Sequence, residues 1–205
     1  MVIGVCCFRS LGQKCLARHI EHQKSLLLSS MQAIRMSPVI DEPASGIGKV
    51  DAVNNDEGAL VTIRHLDQLK SQWFSVLPDL VYEKMMGYLI ECVIRIAVQA
   101  VQEADCIEAT AATDIGRIYR ILMKTKDLLA DSSSEESIVR VIPSWSKFVT
   151  LTDLLDYSIS EVIEWLPRKK FASFTSFELT ALIKALFDDS ERRQNILNLI
   201  LEMSG

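Results

Sequence analysis

Apolar residues recur along this chain at helical intervals, and one stretch organises the pattern. Residues 77–103 read LPDLVYEKMMGYLIECVIRIAVQAVQE. Pro78 suits a first helical turn, where its missing N–H is not needed, and no other proline follows in the segment. At ~100° per residue, Lys84, Gly87, Glu91, Arg95, Gln99 and Gln102 fall on one narrow stripe. The other positions from Met85 to Val101 are apolar or small. The pattern predicts a helix about 39 Å long, wetted along a strip and buried on its other sides. A transmembrane span is disfavoured by Glu91, Arg95 and Gln99 in mid-segment, and Glu91 and Arg95 are spaced to pair one turn apart. A buried strand of this length is excluded. The central helix of an all-α bundle is the reading adopted.

The rest of the chain follows the same period. Leu16, Ile20, Leu27, Met31 and Ile34 mark a first helix over 11–36, preceded by an irregular N-terminal end, 1–10. Residues 37–57, SPVIDEPASGIGKVDAVNNDE, carry prolines, glycines and Asp/Asn without a period, and are expected to be a flexible loop. Helix two is expected over 57–77 on the stripe Leu66, Leu69, Trp73, Val76 and Leu77. The short connection through Pro78 then makes helices two and three antiparallel neighbours. Asp105 and Glu108 are spaced as a capping box. A helix over 111–130 follows, with Ile115, Ile118, Tyr119, Leu122 and Leu129 inward. Leu151, Leu154, Leu155, Ile159, Val162, Ile163 and Leu166 form one continuous fifth helix, ended by Pro167. Thr175 and Glu178 read as a capping box before Leu179, Leu182, Ile183, Leu186 and Phe187. Asp188 and Glu191 read as a second box before Ile196, Leu199, Ile200 and Met203. The expected architecture is an elongated all-α bundle of about seven helices, with 58–205 as its main body.

Composition narrows the function. The chain has 205 residues, 49% hydrophobic and 24% charged, with a net charge of −5, so it lacks the basic footprint of a nucleic-acid binder. Its five cysteines are odd in number and show no CxxC spacing, which fits a reducing, cytosolic compartment. The start, MVIGVCCFRS, has no basic residue ahead of its apolar run, unlike a signal peptide. Val2 excludes myristoylation. Cys6 and Cys7 are candidate palmitate carriers, against a frayed start.

No Gly-rich phosphate loop, nucleophile elbow or HExxH occurs. His19 and His22 lack a ligand set at metal spacing and are read as surface residues. Serines 132–134, beside acidic residues, are read as a solvated loop rather than kinase targets. Arg168, Lys169 and Lys170 follow a helix end, where cations complement the dipole. No catalytic, cofactor-binding or metal residue is assigned, and the chain is read as a non-enzymatic interaction module.

Three separated blocks resemble the C-terminal region of the zeste-white-ten family. In SFELTALIKALFDDSERRQNILNLI, residues 176–200, with Phe174 just before it, Phe174, Ser176, Glu178, Ala181 to Ile183, Ala185 to Phe187 and Glu191 to Arg193 match the family's closing block. VIPSWSKFVTLTDLLDYSISEVIEWL and HLDQLKSQWFSVLPDLVYEKMMGYLIECVI resemble two earlier blocks, and LGQKCLARHIEHQKSLLL matches more loosely. The resemblance runs over residues 11–203. It implies a helical-rod module of a tethering complex, acting in Golgi-to-ER retrograde transport, in the kinetochore checkpoint, or in both. It further implies docking onto an α-solenoid tether or kinetochore subunit and, through the complex, contact with ER SNAREs. The implied location is cytoplasmic, peripheral at the ER membrane without a transmembrane segment, and at kinetochores in mitosis. Family members are much longer, so the chain reads as the C-terminal module alone, from a truncated or partial gene. Arg192 and Arg193, ahead of the last apolar stripe, are the candidate partner-binding residues. The alternative is a free-standing regulatory helical domain, membrane-peripheral through Cys6 and Cys7 or through residues 168–170.

Val93 faces away from the polar stripe of the central helix. Val93→Asp is therefore expected to cost several kcal/mol by placing a charge in the core. An unchanged thermal midpoint would show that this face is not buried.

Overall fold

The computed structural model describes the backbone of residues 2–33, 48–130 and 134–202, with side chains over 11–31, 56–130 and 134–202. These residues form nine α-helices and one 3-10 turn, with no strand among them. The helices are α1 (Val2–Ala33), α2 (Gly48–Trp73), α3 (Asp79–Gln102), α4 (Ala109–Leu122), α5 (Glu135–Val141), α6 (Trp145–Asp156), α7 (Ile159–Trp165), α8 (Ser176–Leu186) and α9 (Glu191–Glu202). The 3-10 turn, Met123–Leu128, follows α4 directly.

Helix α3 is the centre. Tyr82, Met85, Met86, Leu89, Ile90, Val93, Ile94, Ala97, Val98 and Val101 are all buried along it. Each large aliphatic side chain so buried is worth about 1.5–3 kcal/mol. Its neighbours are α1, α2, α5, α6 and α8. By length and composition α3 could cross a membrane, but here its apolar residues are covered by other helices. Lys84, Arg95 and Gln99 are exposed as the stripe predicts, and Val93 is fully buried. Gly87 departs from that prediction. It is buried, with the Val141 side chain of α5 against its Cα, so it marks a close helix approach rather than wetted surface.

Helices α1 and α2 run antiparallel. Thr62 meets the Met31 sulfur at 3.8 Å, His65 Nε2 lies 2.7 Å from Gln23 Oε1, and the His19 ring meets Trp73 edge-on at 5.6 Å. After Trp73 the chain turns through Val76 and Leu77, whose N–H groups donate to the Trp73 carbonyl. Pro78 caps α3, and Asp79 places a carboxylate in its first turn, complementing the dipole. Helix α4 packs on α2 and α6. Its Arg120 pairs with Asp156, and its Tyr119 ring lies 5.0 Å from Phe148. Tyr82 and Tyr119 send their hydroxyls to the Leu128 and Ala97 carbonyls, so each buried phenol is hydrogen-bonded. Helices α8 and α9 pair, with α9 also against α7.

Several expected boundaries differ. α1 is helical from Val2, so the chain from residue 2 to residue 10 is not irregular. α2 begins at Gly48, so residues 48–57 are helix rather than loop; the remainder of that loop, up to residue 47, lies outside the described residues. Asn and Asp are weak helix formers, but extending an existing helix costs less than starting one. The helix expected over 111–130 gives way at Leu122 to the 3-10 turn. The fifth helix is two, because Ser158 forms a capping box with Glu161 and restarts the chain as α7. The box at Thr175 and Glu178 forms as predicted. The other two do not: Glu108 itself occupies the N-cap of α4, and Ser190 accepts the Arg193 N–H at the start of α9.

A Cβ at Gly87 would overlap the Val141 side chain and lie 3.1 Å from the Val141 carbonyl oxygen. Gly87→Ala is expected to destabilise the fold by about 1–3 kcal/mol, although alanine is the better helix former. Urea unfolding should show a lower midpoint at unchanged slope. Adding Val141→Ala should recover part of the loss.

Candidate interaction surface

The polar side chains buried among these helices act as ties between them. Glu91, in the middle of α3, does not turn to Arg95. Its carboxylate accepts the Ser144 N–H at 3.0 Å and the Ser144 hydroxyl at 2.7 Å. Ser144 is the N-cap of α6, so α3 supplies the anion that the start of α6 favours.

Glu178 gathers three elements. It accepts the Thr175 N–H at 2.9 Å as the second half of its own capping box. It takes Lys147 Nζ of α6 at 2.8 Å and Gln102 Nε2 of α3 at 3.1 Å. Partial burial pushes this carboxyl up, but the hydrogen bonds from Lys147 and Thr175 outweigh it and bring it from 4.5 down to about 2. The start of α8 is thereby fastened to the end of α3.

The histidines do not cluster: His22 is exposed as expected, whereas His19 is half-buried against Trp73. His65 lies between α1 and α2, and burial, reinforced by His22, lowers its pKa. No group of three potential metal ligands occurs among the described residues. In the basic run past α7, Arg168 lies on the Trp165 ring and pairs with Glu164 at 3.1 Å, while Lys170 pairs with Asp153 at 2.8 Å. Serines 132 and 133 lie outside the described residues. Ser134 caps α5 by accepting the Ser137 N–H.

Arg192 and Arg193 diverge at the α8–α9 turn. Arg192 is exposed. Arg193 folds back: its guanidinium donates to the Phe187 carbonyl at 2.8 Å and pairs with Asp189 at 2.7 Å. It holds the turn closed, so Arg192 alone of the pair is presented to solvent.

Two apolar exposures escaped the sequence reading. Phe177, in the first turn of α8, is 85% exposed, and Leu201, near the end of α9, is 67% exposed. Phe177 was legible on a helical wheel, since it lies outside the Leu179, Leu182, Ile183 and Leu186 series. The second is the α2–α3 corner, where Phe74, Val76 and Leu80 stand out. A groove of about 290 Å³ beside it is lined by Asp67, Lys70, Ser71, Phe74 and Ser75. Val76 was expected on the buried stripe of helix two. It is 75% exposed because α2 ends at Trp73 and the helical period stops there.

Residues 60–200 match the model of the ZW10 C-terminal helical domain. The chain is similar to a rat protein named "Centromere/kinetochore protein zw10 homolog", 27% identical over 91% of this chain and 25% of the relative. It is similar to the Drosophila pseudoobscura pseudoobscura "Centromere/kinetochore protein zw10" at 27%, over 89% of this chain and 24% of the relative. A mouse zw10 homolog is 26% identical over 91% and 24%. The chain thus spans about a quarter of the length of these relatives.

The lowered Glu178 pKa fixes a sign. A carboxyl held at about 2 in the fold and near 4.5 when unfolded adds stability above 4.5, lost as pH falls towards 2. Glu178→Gln is expected to lower stability at pH 7 by ~1 kcal/mol, as for a lost cap. The gap between the melting temperatures of variant and parent should narrow as pH falls through that window. A gap constant with pH would show that the charge of Glu178 is not what ties α8 to α3.

Proposed function

The chain belongs to the family of the ZW10 C-terminal helical domain, and from that membership we propose that it is a non-enzymatic interaction module of a vesicle-tethering complex, a kinetochore complex, or both. In this reading it docks onto an α-solenoid subunit. It works in the cytoplasm, reaches the ER membrane and its SNAREs only through the complex, and joins kinetochores in mitosis. The relatives' name attaches them to the centromere and kinetochore; the tethering arm follows from the resemblance of the C-terminal block.

The α8–α9 hairpin is the proposed docking element, and the observation that carries it is exposure without structural duty. Arg192 is solvent-facing. Phe177, in the first turn of α8, and Leu201, near the end of α9, are exposed as well. Exposed aromatic and arginine side chains are those that interfaces use most. The membrane-peripheral alternative has less support, since Arg168 and Lys170 are held by Glu164 and Asp153.

Deleting the hairpin is a poor test, because α8 packs on α3 and α9 on α7, so the deletion would uncover both. A point change is cleaner. Arg192→Glu should leave the circular dichroism spectrum and melting curve unchanged and weaken capture of a purified α-solenoid subunit at least tenfold, about 1.4 kcal/mol. Arg193→Glu should instead lower the melting temperature, by freeing the Phe187 carbonyl. Full-strength capture by folded Arg192→Glu would take this end of the molecule out of the interface.

A further inference from the structure

Helix α1 is fastened along two seams, one against α3 and one against α2, and the two are built differently. Against α3 the polar contacts lie at the surface. Lys24 Nζ donates to the Tyr88 hydroxyl at 3.1 Å and pairs with Glu21 at 3.4 Å. Those bonds raise the Lys24 pKa, so it keeps its charge throughout the range in which histidine titrates. Against α2 the polar contact lies inside. Gln23 of α1 is 8% exposed, and its Oε1 lies 2.7 Å from Nε2 of the half-buried His65. Gln23 has no other partner among the described residues.

This geometry fixes where a proton goes. An amide oxygen accepts, so Nε2 of the neutral ring carries the hydrogen and donates it to Gln23. The free lone pair is then on Nδ1. A proton added there makes a cation and a new N–H, for which no acceptor stands among the described residues. Burial opposes that cation first, and His22 of α1 repels it second; no described carboxylate on α1, α2 or α3 offsets it. Together they hold the His65 pKa below its ordinary 6.5. A depressed pKa means that the closed seam has its full stability above 6.5 and loses it as pH falls through the lower value. Glu178, which ties α8 to α3, titrates at about 2, so the two events are separate.

We propose that the α1–α2 seam is a proton-operated latch: uptake of a proton by His65 loosens α1 from α2 while the bundle around α3 stays folded. The division follows the fold. When α1 moves, α3 keeps its cover from α2, α5, α6 and α8, and the family match begins at residue 60, beyond α1. Opening bares the face of α1 that carries Leu16, Ile20, Leu27 and Met31. The latch does not depend on the reading given to the α8–α9 hairpin.

The test is hydrogen exchange of the intact chain at about pH 7.5 and about pH 5.5, each rate divided by the intrinsic rate at that pH, with an NMR titration of the His65 ring beside it. Protection of the α1 amides should fall about twofold or more at the lower pH, while that of α6 stays level. The α1 amide shifts should move with the same midpoint as the His65 ring. His65→Gln takes up no proton, yet its amide can still donate to Gln23, so its α1 protection should be the same at both pH values. His22→Gln should raise the His65 midpoint. Equal α1 protection of the parent at both pH values, loss of α6 protection in step with α1, a fall in His65→Gln as large as in the parent, or α1 shifts with a midpoint apart from that of His65 would each overturn the proposal. The parent's own titration needs no variant, so a His65→Gln chain that failed to fold would still leave the latch open to refutation.

Discussion

Covering α3 is the requirement on which the architecture depends. A helix with nine large or medium apolar residues buried along its length cannot be satisfied by one neighbour, because those residues occupy most of its circumference. α1 and α2 cover one side, α5 and α6 another, and α8 reaches its far end. Where the covering helix is short, closeness replaces length. α5 spans only Glu135–Val141, yet Val141 sits on the Cα of Gly87. A side chain at that position would push α5 away from the part of α3 that it covers.

Polar groups then set the angles that apolar packing leaves open. A core of aliphatic side chains tolerates small rotations of one helix on another, whereas a carboxylate bonded to the cap of a second helix does not. Glu91 ties α3 to the start of α6, and Glu178 ties the start of α8 to α6 and to the end of α3. Both carboxylates act at helix beginnings, where unpaired N–H groups and the dipole favour negative charge. Desolvating each is offset by several donors at once, so neither is an isolated buried charge.

What could be read in the amino-acid order was what depends on near neighbours. The α3 helix, the box at Thr175 and Glu178, and the all-helical class each follow from residues within one or two turns. The failures share the opposite property. Glu91 and Arg95 are spaced to pair, but Glu91 is drawn to Ser144, which lies far along the chain and only becomes adjacent once α6 has packed. Gly87 sits on a polar stripe by angle, and only the arrival of α5 buries it. Arg193 looks equivalent to Arg192 until the turn folds and offers it the Phe187 carbonyl. The split between α6 and α7 was a local signal overlooked: Ser158 and Glu161 carry capping-box spacing, but the unbroken apolar series across them masked it.

The two exposed apolar regions lie at opposite ends of α3. The α2–α3 corner marks its beginning, and Gln102, in its last turn, bonds Glu178 beside Phe177. At ~1.5 Å per residue the helix separates them by about 35 Å, beyond the range of screened electrostatics at physiological salt. Between them run the most buried side chains of the molecule, packed too tightly to deform gradually. A rigid spacer of this kind lets the two ends engage different surfaces at once, with occupation of one leaving the geometry of the other unchanged. Changes at either end therefore report on that end alone, and coupling between them would require α3 itself to move.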